Sequence, residues 1–488
     1  MNVTDPIRAA ARRQPGALAY TGVPNRMEVT FAQLDRAIDA FAARALDAGL
    51  REGQTAIVEL AEEHAHLVAT LALIRIGVAA AAPTLPERFA AARLCAAATT
   101  AATLREVHVD RTWFLPGTAR EAPPSAPGGA ATCAIFGTSG TTGVARHFAV
   151  THDMLARRLA VAEHTMPLPP APRVMIKIGL RTSFAFLMTL QTLYAGGLAA
   201  FPRYDEVTPA IRARRINVLF MAPATASTFL QTLPADPDLF PSLERVYLSG
   251  GTVPRRLLAE ARERLCRDVR VSYGATEVGS IAGAALDALA DTPNAVGIVA
   301  PGAEVQCVDA ADRECPRDTE GVVRIRRNPG SGVYLDAPEA SQDAFRGDWF
   351  YPGDTGSLSA DGMLVITGRV SEAVNVGGEK RSPRVIEDRV RGLGDVADVA
   401  VFTAPDALGV SQLHVAVVGG PALDLRALVD RCVEARVVPA RTRFLAVPAL
   451  PRNEFGKLAR NELPQLVAAA DDGAGATAPA AAVRATRP

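Results

Sequence analysis

The chain has no C-x-x-C pair; its six cysteines, Cys95, Cys133, Cys266, Cys307, Cys315 and Cys432, are scattered. That spacing supplies neither a disulfide framework nor a zinc site, and it fits a reducing compartment. An excess of one charge is missing too, since Lys+Arg and Asp+Glu both total 52. A formal net charge of zero gives no electrostatic ground for a nucleic-acid partner or an anionic membrane surface. No run of about 18 uninterrupted apolar residues occurs, so no membrane span is expected. The opening segment MNVTDPIRAAARRQPGAL carries arginines but no apolar core of a signal peptide. A cytoplasmic location is the expectation. No internal repeat is visible.

What is present is enough apolar residue for more than one core. At 488 residues the chain calls for at least two domains, and 49% hydrophobic with 21% charged residues is a globular composition. Thr30 and Gln33 read as a capping box, followed by Leu34, Ile38, Phe41 and Leu46 at helical spacing and Gly49 as a stop. Thr55–Leu60 reads as a strand, His64–Ile76 as a helix and Val78–Ala82 as a returning strand, a β-α-β unit that signals a parallel sheet. The alternation resumes with strands at Val218–Met221, Arg245–Leu248 and Val269–Ser272, and helices at Ala224–Leu233 and Pro254–Cys266. Ligands of such α/β regions sit in loops at strand ends. From about Glu320 short strands alternate with Gly and Asp turns, at Val322–Ile325, Gly356–Leu358 and Met363–Thr367. After Gly368-Arg369 the pattern is that of a small α+β domain, with a helix at Pro383–Leu393 and strands near Val396–Phe402 and Leu413–Val418. Leu115–Gly129 and the segment from Asp471 are rich in Ala, Gly and Pro, and the latter reads as a disordered tail.

The strand Thr132–Phe136 runs directly into Gly137-Thr-Ser-Gly-Thr-Thr-Gly143. Three glycines let backbone N–H groups converge, and four hydroxyls add donors for phosphate oxygens. No Lys-[ST] follows Gly143, which sets aside the Walker loop of P-loop kinases and GTPases. A Ser/Thr/Gly turn standing alone is more often an ordinary flexible loop.

It does not stand alone. The loop resembles the [ST]-S-G-T-T-G-x-P-K-G signature of the superfamily of acyl- and aryl-CoA synthetases, peptide-synthetase adenylation domains and firefly-type luciferases. Thr138, Ser139, Gly140, Thr141, Thr142 and Gly143 match, whereas Ala145, Arg146 and His147 stand where the family has Pro-Lys-Gly. Arg146 keeps a positive charge for the β- and γ-phosphates with different geometry, and His147 brings bulk. Four further blocks follow in the family's order. Val246–Gly251 ends a strand with Gly250 and Gly251, which the resemblance places against adenine. Ser272-Tyr-Gly-Ala-Thr-Glu277 matches Y-G-x-T-E, which implies Tyr273 and Gly274 by the purine, Thr276 as a donor to the α-phosphate and Glu277 as a holder of Mg²⁺. Tyr351-Pro-Gly-Asp354 resembles the aromatic-x-T-G-D segment, with Asp354 for the ribose hydroxyls and Arg369 for ribose or phosphate. Pro451–Arg460 resembles P-x-x-x-x-G-K-x-x-R, whose lysine, here Lys457, bridges carboxylate and phosphate during adenylation. Between the last two blocks lies the family's domain junction, with Ser371 at the pivot and Gly377 and Gly378 beside the pantetheine arm.

The resemblance implies an α/β fold in three parts. A large N-terminal domain over 1–369 has parallel and mixed sheets flanked by helices plus a β-rich subdomain. A small mobile α+β domain covers 370–470, and a disordered tail covers 471–488. It implies ATP, Mg²⁺ and a thiol acceptor, coenzyme A or the phosphopantetheine of an acyl carrier protein. Its chemistry is activation of a carboxylic acid as an acyl-adenylate, most like a stand-alone acyl-CoA synthetase. Domains that take α-amino acids hold the amine with an Asp, and the comparable stretch here, Arg181–Phe186, carries no acid. A fatty, aryl or other simple acid is therefore expected, with Phe184 and Phe186 as candidate pocket walls and Arg181 as a candidate for a second anionic group. Lys380, Arg381 and Arg384 are candidates for a nucleotide phosphate or an acidic carrier helix. Two other classes stay open: a nucleotide-binding sensor or scaffold without turnover, and a luciferase-like oxygenase.

Overall fold

The computed structural model describes residues 2–22, 27–96, 104–114, 128–138, 146–234, 236, 239–251, 253–289, 292–328, 331–370, 374–376, 379–405, 411–420, 423–435, 437–439, 442–452, 458–471 and 477–479. The chain divides into two compact units. The first holds residues 1–305, 325–352 and 361–363, and the second holds 306–324, 353–360 and 364–488.

The first unit is built on two sheets. In one, the order is Glu106–His108, Ala92–Cys95, Thr55–Glu59, Ala79–Ala81, Thr132–Thr138, Arg146–Thr151, parallel except for the last pair. The expected β-α-β unit is there, with Glu63–Arg75 as its helix. That helix is buried at every position from His64 to Arg75, so no polar face marks it in the sequence. In the other sheet, Leu18–Gly22, Leu198–Phe201, Arg173–Lys177, Val218–Met221, Arg245–Ser249 and Asp268–Ala275 run parallel in that order. Gly279–Ala285 then returns antiparallel to Asp268–Ala275. Val218–Met221 is buried at all four positions, the signature of a strand covered on both faces. Thr30 caps the helix Phe31–Asp47 as expected: Gln33 N donates to its hydroxyl at 3.3 Å, and its own N–H donates to Gln33 Oε1 at 2.8 Å.

In the second unit, Asp354–Leu358 and Met363–Arg369 form a hairpin with Asp354 opposite Arg369. Gly356 has no room for a Cβ, which would stand 2.1 Å from the Val365 carbonyl oxygen. Further on, Val396–Pro405 and Ser411–Gly419 pair antiparallel, and Arg443–Ala446 adds in parallel. Period-two alternation splits this sheet's faces. Val399, Val401, Leu413, Val415 and Val417 pack in a cluster with Ile386, Val390 and Leu428, while Ala400, Phe402, Ala404 and Ala416 face Leu445 and Leu463. Within the segment expected to be a disordered tail, Thr477–Pro479 pairs with Arg443–Ala446, giving that edge strand a partner. Among the described residues no helix is long and apolar enough to cross a membrane.

Candidate active site

The first cluster forms where the strand Asp268–Ala275 ends. The register slips between Tyr273 and Gly274, and a Cβ on Gly274 would lie 2.1 Å from the Gly279 carbonyl oxygen, so only glycine fits. The turn that follows places Glu277 inward, 6% exposed. Tyr334 Oη donates to Glu277 Oε1 at 2.6 Å. Burial first, and then the Glu277 carboxylate, push the Tyr334 phenol well above its ordinary range, so it remains a proton donor. Beneath the turn, the fully buried Arg158 donates from Nη2 to the Glu277 carbonyl oxygen at 2.8 Å. Desolvation lowers the Arg158 guanidinium to about 10, against the nearby Glu277 charge. Arg158 requires Gly279 as well: that residue has φ +85°, and a Cβ there would stand 2.8 Å from Arg158 Cγ.

The second cluster lies at the root of the phosphate loop. Thr132–Thr138 and Arg146–Thr151 form a hairpin in which Gly137 faces His147. The His147 side chain is 2% exposed and bridges three elements. Nδ1 lies 2.6 Å from Asp336 Oδ2, Nε2 lies 2.9 Å from Thr84 Oγ1, and the His147 N–H donates to Asp336 Oδ1 at 3.0 Å. Leu335 N donates to the His147 carbonyl at 2.9 Å. Gly137 leaves space for the imidazole, since a Cβ there would meet Thr84 Oγ1 at 3.2 Å and His147 Nε2 at 3.7 Å. Arg146, expected within the loop, begins the second strand, and its guanidinium lies 5.5 Å from the centre of the Tyr334 ring. Tyr334 thus touches both the cation of the loop root and the Glu277 carboxylate.

Thr138 ends the first strand of that hairpin. Ser139, Gly140, Thr141, Thr142 and Gly143 lie outside the described residues. Gly250 follows the strand Arg245–Ser249 at φ +85°, a left-handed turn suited to glycine, and Gly251 is exposed beside it. Ser249 Oγ donates to the Ser272 carbonyl at 3.1 Å, fixing this turn to the strand that carries Tyr273. Tyr273 and Thr276 are half-buried.

In the second unit the structure brings together Asp354 and Arg369. Arg369 Nε lies 2.9 Å from Asp354 Oδ1 across the hairpin, with Asp354 6% exposed and Arg369 half-exposed. Gly353, at φ +80°, turns the chain into Asp354, and its carbonyl accepts from Val370 N at 2.8 Å. Burial lowers the nearby Arg384 guanidinium, with Asp388, Glu387 and Asp354 opposing that shift. Ser371, Gly377, Gly378 and Lys457 lie outside the described residues. The flanks of Lys457 are nevertheless firmly held. Arg452 and Leu458 form a β-bridge, Ala459 N donates to the Pro451 carbonyl at 2.9 Å, and Arg460 Nη1 lies 3.0 Å from the buried Glu387. Glu387 in turn accepts from Val401 N at 2.8 Å.

Tyr334, Arg158, Thr84 and Asp336 were not legible as site residues. Each reaches the site from a distant segment, and none sits in a motif. Phe184 and Phe186, candidate pocket walls for which burial on a strand or helix is an equally good explanation, lie on the helix Ser183–Tyr194 capped by Thr182. Phe184 packs edge-on against Phe220 and Phe186 against Phe136.

Residues 7–335 match the family model described as AMP-binding enzyme. A fatty acid–[acyl-carrier-protein] ligase from Streptomyces coeruleorubidus is 28% identical over 268 residues, 53% of this chain and 51% of that protein. The chain therefore spans about half the length of that relative. A salicyl-AMP ligase / salicyl-S-ArCP synthetase from Mycobacterium tuberculosis is 26% identical over 502 residues, 92% of this chain and 88% of that one. Among solved structures, O-succinylbenzoate coenzyme A synthetase from Bacillus subtilis in complex with AMP superposes with a TM-score of 0.79 at 22% identity. It covers 94% of this chain and 97% of that one. At that identity the likeness establishes the fold.

Proposed function

Because the chain belongs to the AMP-binding enzyme family, we propose that it activates a carboxylic acid with ATP and passes the acyl group to a thiol. The observation that carries this reading is the clasp on Glu277: a buried carboxylate, oriented by a neutral phenol, whose donor also touches the cation at the root of the phosphate loop. Glu277 is the carboxylate that would hold a magnesium ion accompanying the nucleotide phosphates. Such an ion, when bound, offsets phosphate charge as pyrophosphate departs.

In the first half-reaction a substrate carboxylate oxygen attacks the α-phosphorus, and the bond to pyrophosphate breaks. Ser139–Gly143 and Arg146 receive the β- and γ-phosphates, and Thr138 begins that loop. Thr276 donates to the α-phosphate, and Lys457 offsets charge on both reactants. Tyr273, Gly274, Gly250 and Gly251 flank the adenine, and Asp354 with Arg369 takes the ribose. In the second half-reaction a thiolate sulfur attacks the acyl carbon and AMP leaves. We assign the pivot between these states to Ser371 and the thiol arm to Gly377 and Gly378, with 370–470 as the mobile domain. The acceptor is coenzyme A or a carrier protein's phosphopantetheine; both the fatty-acid ligase and the salicyl synthetase bear carrier-directed names. The first turn of the helix Ser183–Tyr194 holds no acidic residue, which favours a fatty, aryl or other simple acid over an α-amino acid.

ATP–pyrophosphate exchange over a panel of acids tests the proposal, and acid-dependent exchange is expected. Lys457→Ala should abolish exchange yet largely spare thiol transfer from supplied acyl-adenylate. AMP binding without exchange for any acid would replace this reading with that of a nucleotide-binding sensor.

A further inference from the structure

The helix Glu63–Arg75 carries His66 and Thr70 one turn apart, both buried. They are 9% and 6% exposed, and among the described residues neither His66 Nδ1 nor Thr70 Oγ1 has a hydrogen-bond partner. Both line one recess together with Ala80, Ala81 and Ala82. Its other walls include Phe136, Leu180, Arg181 and Phe186. The recess has room for about one water-sized group and is not enclosed.

Its position ties it to the chemistry. Phe136 lies two residues before Thr138, on the strand that becomes the phosphate loop, and its ring meets Phe186 at 5.9 Å. Arg181 stands at the rim, with Nη2 donating to the Leu60 carbonyl at 2.8 Å. Burial, and then the Arg181 charge, lower His66 to about 4, so its imidazole is neutral at pH 7. A neutral imidazole and a hydroxyl together can both donate and accept, and a single oxygen satisfies them. A bare methylene in the same place would leave two buried polar groups unmatched. Among the described residues Tyr20 Oη and His64 Nδ1 also lack partners, but they face aromatic rings and do not line this recess.

We propose that Thr70 and His66 read one oxygen substituent of the activated acid, so that the substrate is a hydroxy- or keto-carboxylic acid rather than a plain hydrocarbon acid. This rests on the adenylation reading and specifies the substrate class of the same site. Sites built to pair a substrate oxygen reject the analogue lacking it far more strongly than apolar pockets reject a size change.

The test compares matched pairs in exchange assays: aryl and medium-chain acids, each with and without a hydroxyl or keto oxygen at successive positions. At least one oxygenated member should exceed its parent by tenfold or more in kcat/KM. Thr70→Val, which keeps the shape and loses the hydroxyl, should reduce that preference at least fivefold, and Thr70→Ser should retain it. A parent acid equal to every oxygenated partner, or a preference untouched by Thr70→Val in folded protein, would mean the recess holds a resident water only and would overturn the proposal. No exchange with any acid would count against adenylation itself. The same pairs are then compared by calorimetric titration without ATP, where equal affinities overturn the recess and selective binding upholds it.

Discussion

Glu277 and Asp354 are two carboxylates with the same exposure and opposite surroundings. Glu277 accepts a hydrogen bond from the neutral Tyr334 phenol, with the buried Arg158 guanidinium nearby, and Asp354 lies against the Arg369 guanidinium. A phenol fixes a carboxylate's orientation without adding a positive charge at that oxygen, which suits a group meant to meet a metal ion. A guanidinium at 2.9 Å already offsets the carboxylate, which suits acceptance from neutral hydroxyls. The lesson is that two carboxylates buried alike can differ in the charge of a hydrogen-bond donor they face.

The sharpest way to break this comparison is Glu277→Gln. Exchange rate at saturating magnesium should fall on the order of a hundredfold or more, since a charge aimed at the transferring group is lost. Asp354→Asn should act on binding instead, raising KM for ATP by roughly tenfold with a smaller change in kcat. If both variants lowered kcat alike, the assigned division would be wrong. Tyr334→Phe removes only the orienting donor. We expect exchange to drop several-fold to tenfold, with a higher magnesium requirement and about 1–3 kcal/mol less stability in urea melts. An unchanged magnesium dependence would show that the phenol does not position Glu277.

The smallest effect concerns the neutral imidazoles of the first unit. Burial lowers both His64 and His66 to about 4 from an ordinary 6.5. Between these values the unfolded chain binds protons that the folded chain excludes, so stability is intact above about pH 6.5 and declines toward pH 4. Urea midpoints from pH 7 to pH 5 should fall with decreasing pH, and His64→Phe should flatten the slope. A slope unaltered by that replacement would place the proton uptake elsewhere.

Much of the scaffold was legible because it obeys local rules. The capping box at Thr30, the strand Val218–Met221 and the helix beginning at Pro383 are all where spacing and turn chemistry put them. The second strand of the phosphate-loop hairpin was not. Arg146 and His147 read as part of the loop, and only the register with Thr132–Thr138 makes Arg146–Thr151 a strand. Tyr334 and Asp336 were invisible for a related reason: their partners lie 57 and 189 positions away. The Asp354–Arg369 pair falls between these cases. Both residues were singled out separately, and only the hairpin register makes them neighbours.

The bridge between Arg452 and Leu458 has a consequence for reach. Leu458 is fastened there, and just beyond it Arg460 is paired with Glu387, so the chain leaving position 457 is anchored to the helix Pro383–Arg391. An arginine at position 457, a broad planar fork rather than a compact point charge, should rescue little of what an alanine loses there.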